Sequence, residues 1–450
     1  MTNSSNVVAL PVAGGGATEA GRVPRVLLLQ GPVGPFFRKL QDALNEGGFD
    51  AWRVTFNAGD RFFARGHKTV NYGERPSRYA SWLRALLVDG GFSMVVLFGC
   101  ARPIHEIARN VCRKLSIPVL SLEEGYFRPG FVTMEEGGNC AASPIAGRLP
   151  SEDGQGWTEP VRSDSPRSSF AQMGRYAAVY YLVHGLLSRR AERRFFHKRE
   201  RLNLMQEAHC WARSAFRKYA DLPRNSACME RLLERHDGQF YLVPLQVPDD
   251  GQLHLRFGLG WSNTSVIERL VASFARRAPR ATRLVFKVHP IDRGHFDYVG
   301  HVQAIAELHG VSGRVDVLSS GSVGLMARHC RGMITINSSS GFSALHHGRP
   351  LGVLGRAIYG HEQLVSLLGD DTDIDRFWTE ARAAPAALRQ EYLGWLRARS
   401  LKPGDFYLAE EFAVTAQAVT DWCAAQAKSP SRTAYPPVVA FPADASLAAG

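Results

Sequence analysis

The strongest constraint on this chain is a rhythm that occurs twice: short apolar runs alternating with helical patterns, on either side of a polar interruption. In the first half, residues 26–29, 51–56, 94–98 and 118–122 read as strands. Helical spacing follows from Phe36, around 82–87 and over 104–115. In the second half, 240–245, 284–287, 315–318, 332–336 and 350–354 read as strands, with helices over 265–276, 383–398 and 410–427. Strands that alternate with helices imply a parallel, doubly wound sheet. Two such runs predict an α/β chain with two Rossmann-like domains facing a cleft. Ligands bind at the carboxyl ends of strands in such sheets.

The interruption has two parts. Residues 141–169 are rich in Ser, Pro, Gly and Asp and read as a linker or long surface loop. Residues 176–219 are helical and basic, which makes a basic helical insertion. The expected division is a disordered lead-in (1–22), an N-terminal Rossmann-like domain (23–140), the linker and basic segment (141–235), a C-terminal Rossmann-like domain (236–375), C-terminal helices (376–428) and a disordered tail (429–450).

A formal charge of +12 favours an anionic partner: nucleic acid, an acidic membrane surface or an anionic substrate. No nucleic-acid motif accompanies the charge, so no nucleic acid is expected. The seven cysteines are scattered without a CxxC pair, which speaks against a zinc framework and fits a reducing cytosol. No basic region precedes the mildly apolar residues 7–13, so they do not read as a signal peptide. The apolar run 176–187 is shorter than the roughly 20 residues a membrane span needs. Behind Tyr176, Tyr180, Tyr181, Leu182 and Leu186 come Arg189, Arg190, Arg193, Arg194, Lys198, Arg199 and Arg201, with only Glu192 and Glu200 among them. That pattern suits an anionic bilayer surface. It equally suits a solvated helical face packed on its domain by the apolar side.

Three polar motifs follow predicted strands. Glu123-Glu124-Gly125 offers a carboxylate for nucleophilic or base work, with Arg128 close behind. Lys287-Val288-His289-Pro290 and Arg293 offer cations and a histidine for a phosphate leaving group. Asn337-Ser338-Ser339-Ser340-Gly341 offers hydroxyls and a helix start for an anion. Gln30-Gly31-Pro32-Val33-Gly34 forms a glycine-containing turn where backbone can approach a ligand. Taken singly, each also fits a bland role: solvated glutamates, a core histidine, a plain serine cap, a tight turn.

The order carboxylate–Gly, His-Pro, Ser-Ser resembles bacterial sialyltransferases, which use CMP-sialic acid on a GT-B-like fold. A longer resemblance is to the KpsS/LipB capsule polysaccharide family. It is carried by Leu29-Gln30-Gly31-Pro32, Phe56-Asn57-Ala58-Gly59-Asp60, Arg102-Pro103-Ile104-His105, residues 123–129, Val243-Pro244-Leu245-Gln246, 287–294, 336–345 and Gly355-Arg356-Ala357-Ile358-Tyr359. That resemblance implies a retaining β-Kdo transferase that moves Kdo from CMP-Kdo to a phosphatidylglycerol-type lipid, with no cofactor and no metal. Glu124 falls where related retaining Kdo transferases place the acidic catalytic residue, His289 falls on the His-Pro motif, and Ser338 with Ser339 on the serine motif. Lys287, Pro290, Arg293, Asn337, Ser340 and Gly341 fall on the donor side. Gln30, Gly31, Gly34, Glu123, Arg128 and Gln246 are expected to contact substrate. The implied partners are the CMP-sugar donor, an anionic phospholipid acceptor and other capsule biosynthesis or export proteins. The implied place is the cytoplasm, peripheral on the cytoplasmic face of the inner membrane. Two departures stand out: Cys100-Ala101 where the family often has Asp-Cys, and Val288 where it often has a second histidine. The segment 254–261 also differs. Two other readings remain: an inverting CMP-sialic acid transferase, and a non-catalytic lipid-binding subunit of an export complex.

Overall fold

The computed structural model describes residues 23–161, 167–192, 204–248, 253 and 258–428. The expected lead-in 1–22 and tail 429–450, residues 254–257, and Arg193, Arg194, Lys198, Arg199, Glu200 and Arg201 lie outside these residues.

The described strands are β1 (Arg25–Leu28), β2 (Asp50–Thr55), β3 (Thr69–Asn71), β4 (Phe92–Phe98), β5 (Val119–Glu124), β6 (Phe131–Glu136), β7 (Phe240–Pro244), β8 (Arg283–Lys287), β9 (Val315–Leu318), β10 (Gly332–Thr335), β11 (Leu351–Val353), β12 (Ser366–Leu367) and β13 (Leu401–Pro403). The helices are α1 (Phe36–Glu46), α2 (Ala58–Phe63), α3 (Tyr79–Asp89), α4 (Pro103–Lys114), α5 (Phe170–Leu187), α6 (Leu204–Ala220), α7 (Leu222–Arg235), α8 (Asn263–Arg277), α9 (Tyr298–Leu308), α10 (Val323–His329), α11 (Gly341–His346), α12 (Asp371–Glu380), α13 (Ala386–Ser400) and α14 (Phe412–Lys428).

The chain forms two compact units, and neither is continuous in sequence. Unit 1 takes its described residues from 23–144, 159–161, 167–192 and 397–428; unit 2 takes the rest. The sheet of unit 1 runs β13-β6-β5-β4-β1-β2-β3. Strands β5, β4, β1, β2 and β3 are parallel, while β6 pairs antiparallel with both β5 and β13. The sheet of unit 2 runs β12-β11-β10-β7-β8-β9 and is parallel throughout. The α/β class with two Rossmann-like units is therefore observed.

Parallel strands in a sheet covered on both faces must be apolar on both faces. Strand β7 meets this requirement, with every residue of Phe-Tyr-Leu-Val-Pro buried. In unit 1, Phe36, Phe37, Leu40 and Leu44 of α1 pack on Val26 and Leu28 and against Phe412, Ala416 and Val419 of α14. The last described helix thus completes the first unit's core. In unit 2, Ile267, Leu270 and Phe274 of α8 pack with Leu284, Phe286, Phe377 and Trp378. Residues 141–169, expected as a loop, hold short turns at Cys140–Ala142 and Pro150–Glu152 and bury Ala141, Ala142, Ala146 and Leu149. The basic segment divides: α5 belongs to unit 1, and α6 and α7 to unit 2.

Candidate functional site

In unit 2, neighbouring strands β10, β7 and β8 end side by side. Their following residues are Asn337, Gln246 and the His289-Pro290 turn, so sheet order alone gathers three motifs that lie far apart in sequence. Side chains then join them. Gln246 Nε2 donates to Asn337 Oδ1 at 3.0 Å, and Asn337 N donates back to Gln246 Oε1 at 3.1 Å. Asn263, at the start of α8, donates from Nδ2 to Gln246 O (2.6 Å) and to the Tyr298 hydroxyl (2.8 Å). Tyr298 in turn donates to Asp292 Oδ2 at 2.5 Å. A buried polar chain therefore runs from the His-Pro turn to the serine loop.

The serine loop is internally bonded. Ser340 Oγ donates to Ser338 Oγ at 2.9 Å, and Tyr359 holds the Ser338 carbonyl at 2.5 Å. Ser339 is exposed, and Ser338 and Ser340 are half-buried. Helix α11, which begins at Gly341, has six residues. It is too short for its dipole to carry an anion site, so any anion there must rely on the hydroxyls and on nearby cations.

The cations of the neighbouring motif are Lys287 and Arg293, at the end of β8 and in the turn after it, with β7 between β8 and β10. Lys287 ends β8 and is 3 % exposed, yet its ammonium's hydrogen bond goes to Val288 O (3.0 Å), and among the described residues it has no ion pair. Burial, followed by the charge of Arg293, pulls it down to about 8. Arg293 spends Nε and Nη2 on Ser319 O at 3.0 and 2.7 Å. Its guanidinium braces the end of β9, and Asn225 and Asp221 hold the Ser319 amide and hydroxyl there. His289 is half-buried and accepts from Ile291 N at Nδ1 (3.3 Å); Pro290 is exposed.

In unit 1, β5 extends two residues beyond its expected end and includes both glutamates. Glu123 stands opposite Thr133 and Glu124 opposite Val132. Successive strand residues face opposite sides of the sheet. Glu123 lies within the field of Arg102. Glu124 accepts from the Tyr407 hydroxyl at 3.0 Å and from exposed Arg128. Burial, and then Glu124, raises the Tyr407 phenol well above its ordinary value.

The turn after β1 is packed from within the unit. Gln30 is buried; its Nε2 donates to Asp60 (3.2 Å) and Tyr180 (3.4 Å), and Arg102 Nη1 donates to its Oε1 (3.3 Å). A Cβ on Gly31 would strike the Phe37 ring at 2.5 Å. One on Gly34, at φ +113°, would strike Tyr176 at 2.8 Å. Asn57 and Asp60 form a socket for Tyr180 of α5. Asn57 Nδ2 donates to the phenol at 2.7 Å, and the phenol donates to Asp60 Oδ1 at 3.1 Å. Burial raises Asp60, and buried Arg53 opposes that shift.

The expected site residues thus form two groups. Lys287, His289, Pro290, Arg293, Asn337, Ser338, Ser339, Ser340, Gly341 and Gln246 belong to unit 2. Glu123, Glu124, Arg128, Gln30, Gly31 and Gly34 belong to unit 1. Asn263, Tyr298 and Tyr407 were not anticipated from the sequence as parts of either group. Among the described residues, no cluster of His, Cys, Asp and Glu could hold a metal ion, and no helix is long and apolar enough to cross a membrane.

The profile of a family described as capsule polysaccharide biosynthesis protein matches residues 93–407. The chain belongs to that family. Within the capsule polysaccharide biosynthesis family, it is 31% identical over 389 residues to the capsule polysaccharide export protein KpsS of Escherichia coli, covering 85% of this chain and 97% of that protein. It is 31% identical over 364 residues to the capsule polysaccharide modification protein LipB of Neisseria meningitidis serogroup B, covering 78% and 84%. Among solved structures, the β-Kdo 2,7 transferase KpsC of Thermosulfurimonas dismutans is similar at 12% identity and TM-score 0.42, covering 89% of this chain and 100% of that one.

Proposed function

We propose that this capsule-family chain is a glycosyltransferase that uses CMP-Kdo and extends a phosphatidylglycerol-type lipid at the cytoplasmic face of the inner membrane. One observation carries the donor side: Lys287 is a buried cation that has no acidic partner among the described residues. A buried charge left unpaired costs several kcal/mol, and an anionic ligand repays it. In this reading Lys287, His289 and the hydroxyls of Ser338 and Ser340, which follow or end neighbouring strands of one sheet, bind the ligand's phosphate. The departing CMP then gains charge against groups already fixed in place, which is where electrostatic stabilisation is greatest. His289 delivers a proton to, or hydrogen-bonds, the leaving phosphate.

Glu124 of unit 1 is the nucleophile. Arg128 and Tyr407 orient its carboxylate. Attack on the anomeric carbon forms a glycosyl ester and releases CMP. The acceptor hydroxyl then displaces the ester, and two inversions give retention. Purified protein incubated with CMP-Kdo and a phosphatidylglycerol analogue should yield a lipid heavier by one or more Kdo residues and release CMP. NMR of the product should report the retained anomer. Full turnover by Glu124→Gln, or an inverted product, would reject the nucleophile. Absence of CMP release by the wild-type protein with lipid present would reject the transferase.

A further inference from the structure

Helix α5 has two unlike faces. One carries Tyr176, Tyr180 and His184 and is fixed to unit 1. Tyr180 fills the Asn57–Asp60 socket, and Ser188, just past the helix, accepts from Ala58 N at 3.0 Å. The other face carries Ala171, Arg175, Ala178, Val179, Leu182 and Leu186, at helical spacing and all exposed. Val179 is 40%, Leu182 51% and Leu186 64% exposed. A helix held this firmly on one side, with leucines bare on the other, has an unused surface rather than a frayed end.

From Arg167 to Arg190 every aspartate, glutamate, lysine or arginine position in the sequence is an arginine. Helix α5 contains no aspartate or glutamate. Arg167 precedes it, Arg175 lies in the apolar face, and Arg189 and Arg190 follow, all exposed. The nearest acid beyond, Glu192, is buried and spends both oxygens on Arg61 at 2.9 Å. Eighteen residues make a helix about 27 Å long. Its apolar stripe is bounded by arginines at both ends, and the Arg175 stem can lie along the stripe while its head reaches water. These are the features of a helix that lies in a membrane interface.

We infer that the exposed face of α5 docks this chain on an anionic bilayer surface, with Val179, Leu182 and Leu186 entering the acyl boundary and Arg175, Arg189 and Arg190 meeting headgroup phosphates. The inference does not depend on the proposed reaction, because it uses no residue assigned to donor or nucleophile. Anionic headgroups attract each nearby arginine, and salt screens that attraction.

The test is flotation of the full chain with vesicles of phosphatidylcholine alone and of phosphatidylcholine mixed with phosphatidylglycerol. Wild-type protein should partition onto the mixed vesicles about tenfold or more better than onto neutral ones, and lose this on raising salt. The triple variant Val179→Ser, Leu182→Ser and Leu186→Ser should lose about tenfold or more of the partitioning with an unchanged melting temperature. Its transfer to a short-chain, micelle-free acceptor should stay at the wild-type rate, which separates docking from chemistry. Equal flotation of variant and wild type overturns the inference. So does a wild-type protein that ignores both vesicles, or a dimer that the variant dissociates while vesicle binding persists.

Discussion

The hydroxyl of Tyr407 donates a 3.0 Å hydrogen bond to Glu124 Oε1 across 283 residues of sequence. The chain leaves unit 1 and returns between them, so this contact joins the end of β5 to the segment before α14. With Arg128 on the other oxygen, the carboxylate is held from two sides. A hydrogen bond to a charged group contributes about 1.5–3 kcal/mol. Tyr407→Phe removes only the hydroxyl. It should lower kcat about tenfold and leave KM for the donor nearly unchanged, because the proposed donor contacts belong to unit 2. Steady-state kinetics with CMP-Kdo checks this. A wild-type kcat would mean that Tyr407 does not orient the reacting group.

What the sequence could and could not reveal follows from the range of each interaction. The expected bounds of β9, 315–318, are those observed, although its Val-Asp-Val-Leu is mostly half-buried. Most other parallel strands lie within a residue or two of expectation, because a buried strand announces itself as a continuous apolar run. Strands β3, β6, β12 and β13 are not among the expected strands. Three-residue β13 exists through its pairing with β6, some 270 residues earlier, and no local pattern encodes that partner. The polar motifs at strand ends were legible as residue types. The Gln246–Asn263–Tyr298–Asp292 chain was not, since asparagine at the start of a helix looks like an ordinary cap. Helix α5 was read as helical and basic. Its attachment to unit 1 through Tyr180 depends on a socket 120 residues away.

That socket makes a stability prediction. The Tyr180 phenol bonds with Asn57, Asp60 and Gln30, all buried. Tyr180→Phe leaves these groups without their shared partner, and a buried polar group left unsatisfied costs about 1–3 kcal/mol. Chemical denaturation should show a loss of that size. Proteolysis should cut α5 faster than the rest of unit 1, because the helix loses its anchor. A variant as stable as wild type would mean that the ring alone holds the helix.

Glu135 makes a prediction with the opposite sign. It is buried and accepts from Tyr126 (2.6 Å), Ser143 (2.5 Å) and Ser400 (2.9 Å), with no cation bonded to it among the described residues. Burial raises it from 4.5 to about 7, and the three hydroxyls restrain the rise. Between those values the native state holds the proton and the unfolded chain does not. Stability therefore falls as pH rises from 4.5 to about 7, and the full cost persists above. Two and a half units correspond to about 3 kcal/mol as an upper estimate. Glu135→Gln keeps an oxygen for the serines and carries no charge. Thermal melts should show equal stability at acid pH and a more stable variant above neutrality. A variant that tracks wild type at every pH would place the ionisation cost elsewhere.

Lys287 should trade stability for ligand binding. Burial pulls it from 10.5 to about 8. For a base shifted down, the unfolded chain holds the proton over that interval and the native state does not. Stability thus rises with pH from about 8 to 10.5, and the full cost is present below. Lys287→Met removes the charge and keeps much of the volume. Without ligand it should melt higher at neutral pH, by at most about 3 kcal/mol, less the bond lost to Val288 O. With ligand the order should reverse, since binding stabilises only a native state that can bind. Calorimetry with CMP should show wild-type affinity falling as pH passes about 8, and at least about tenfold weaker binding by the variant at neutral pH. A methionine variant that binds CMP as tightly as wild type would remove Lys287 from the donor site. One that is less stable than wild type without ligand would mean that the ammonium is already satisfied inside the fold.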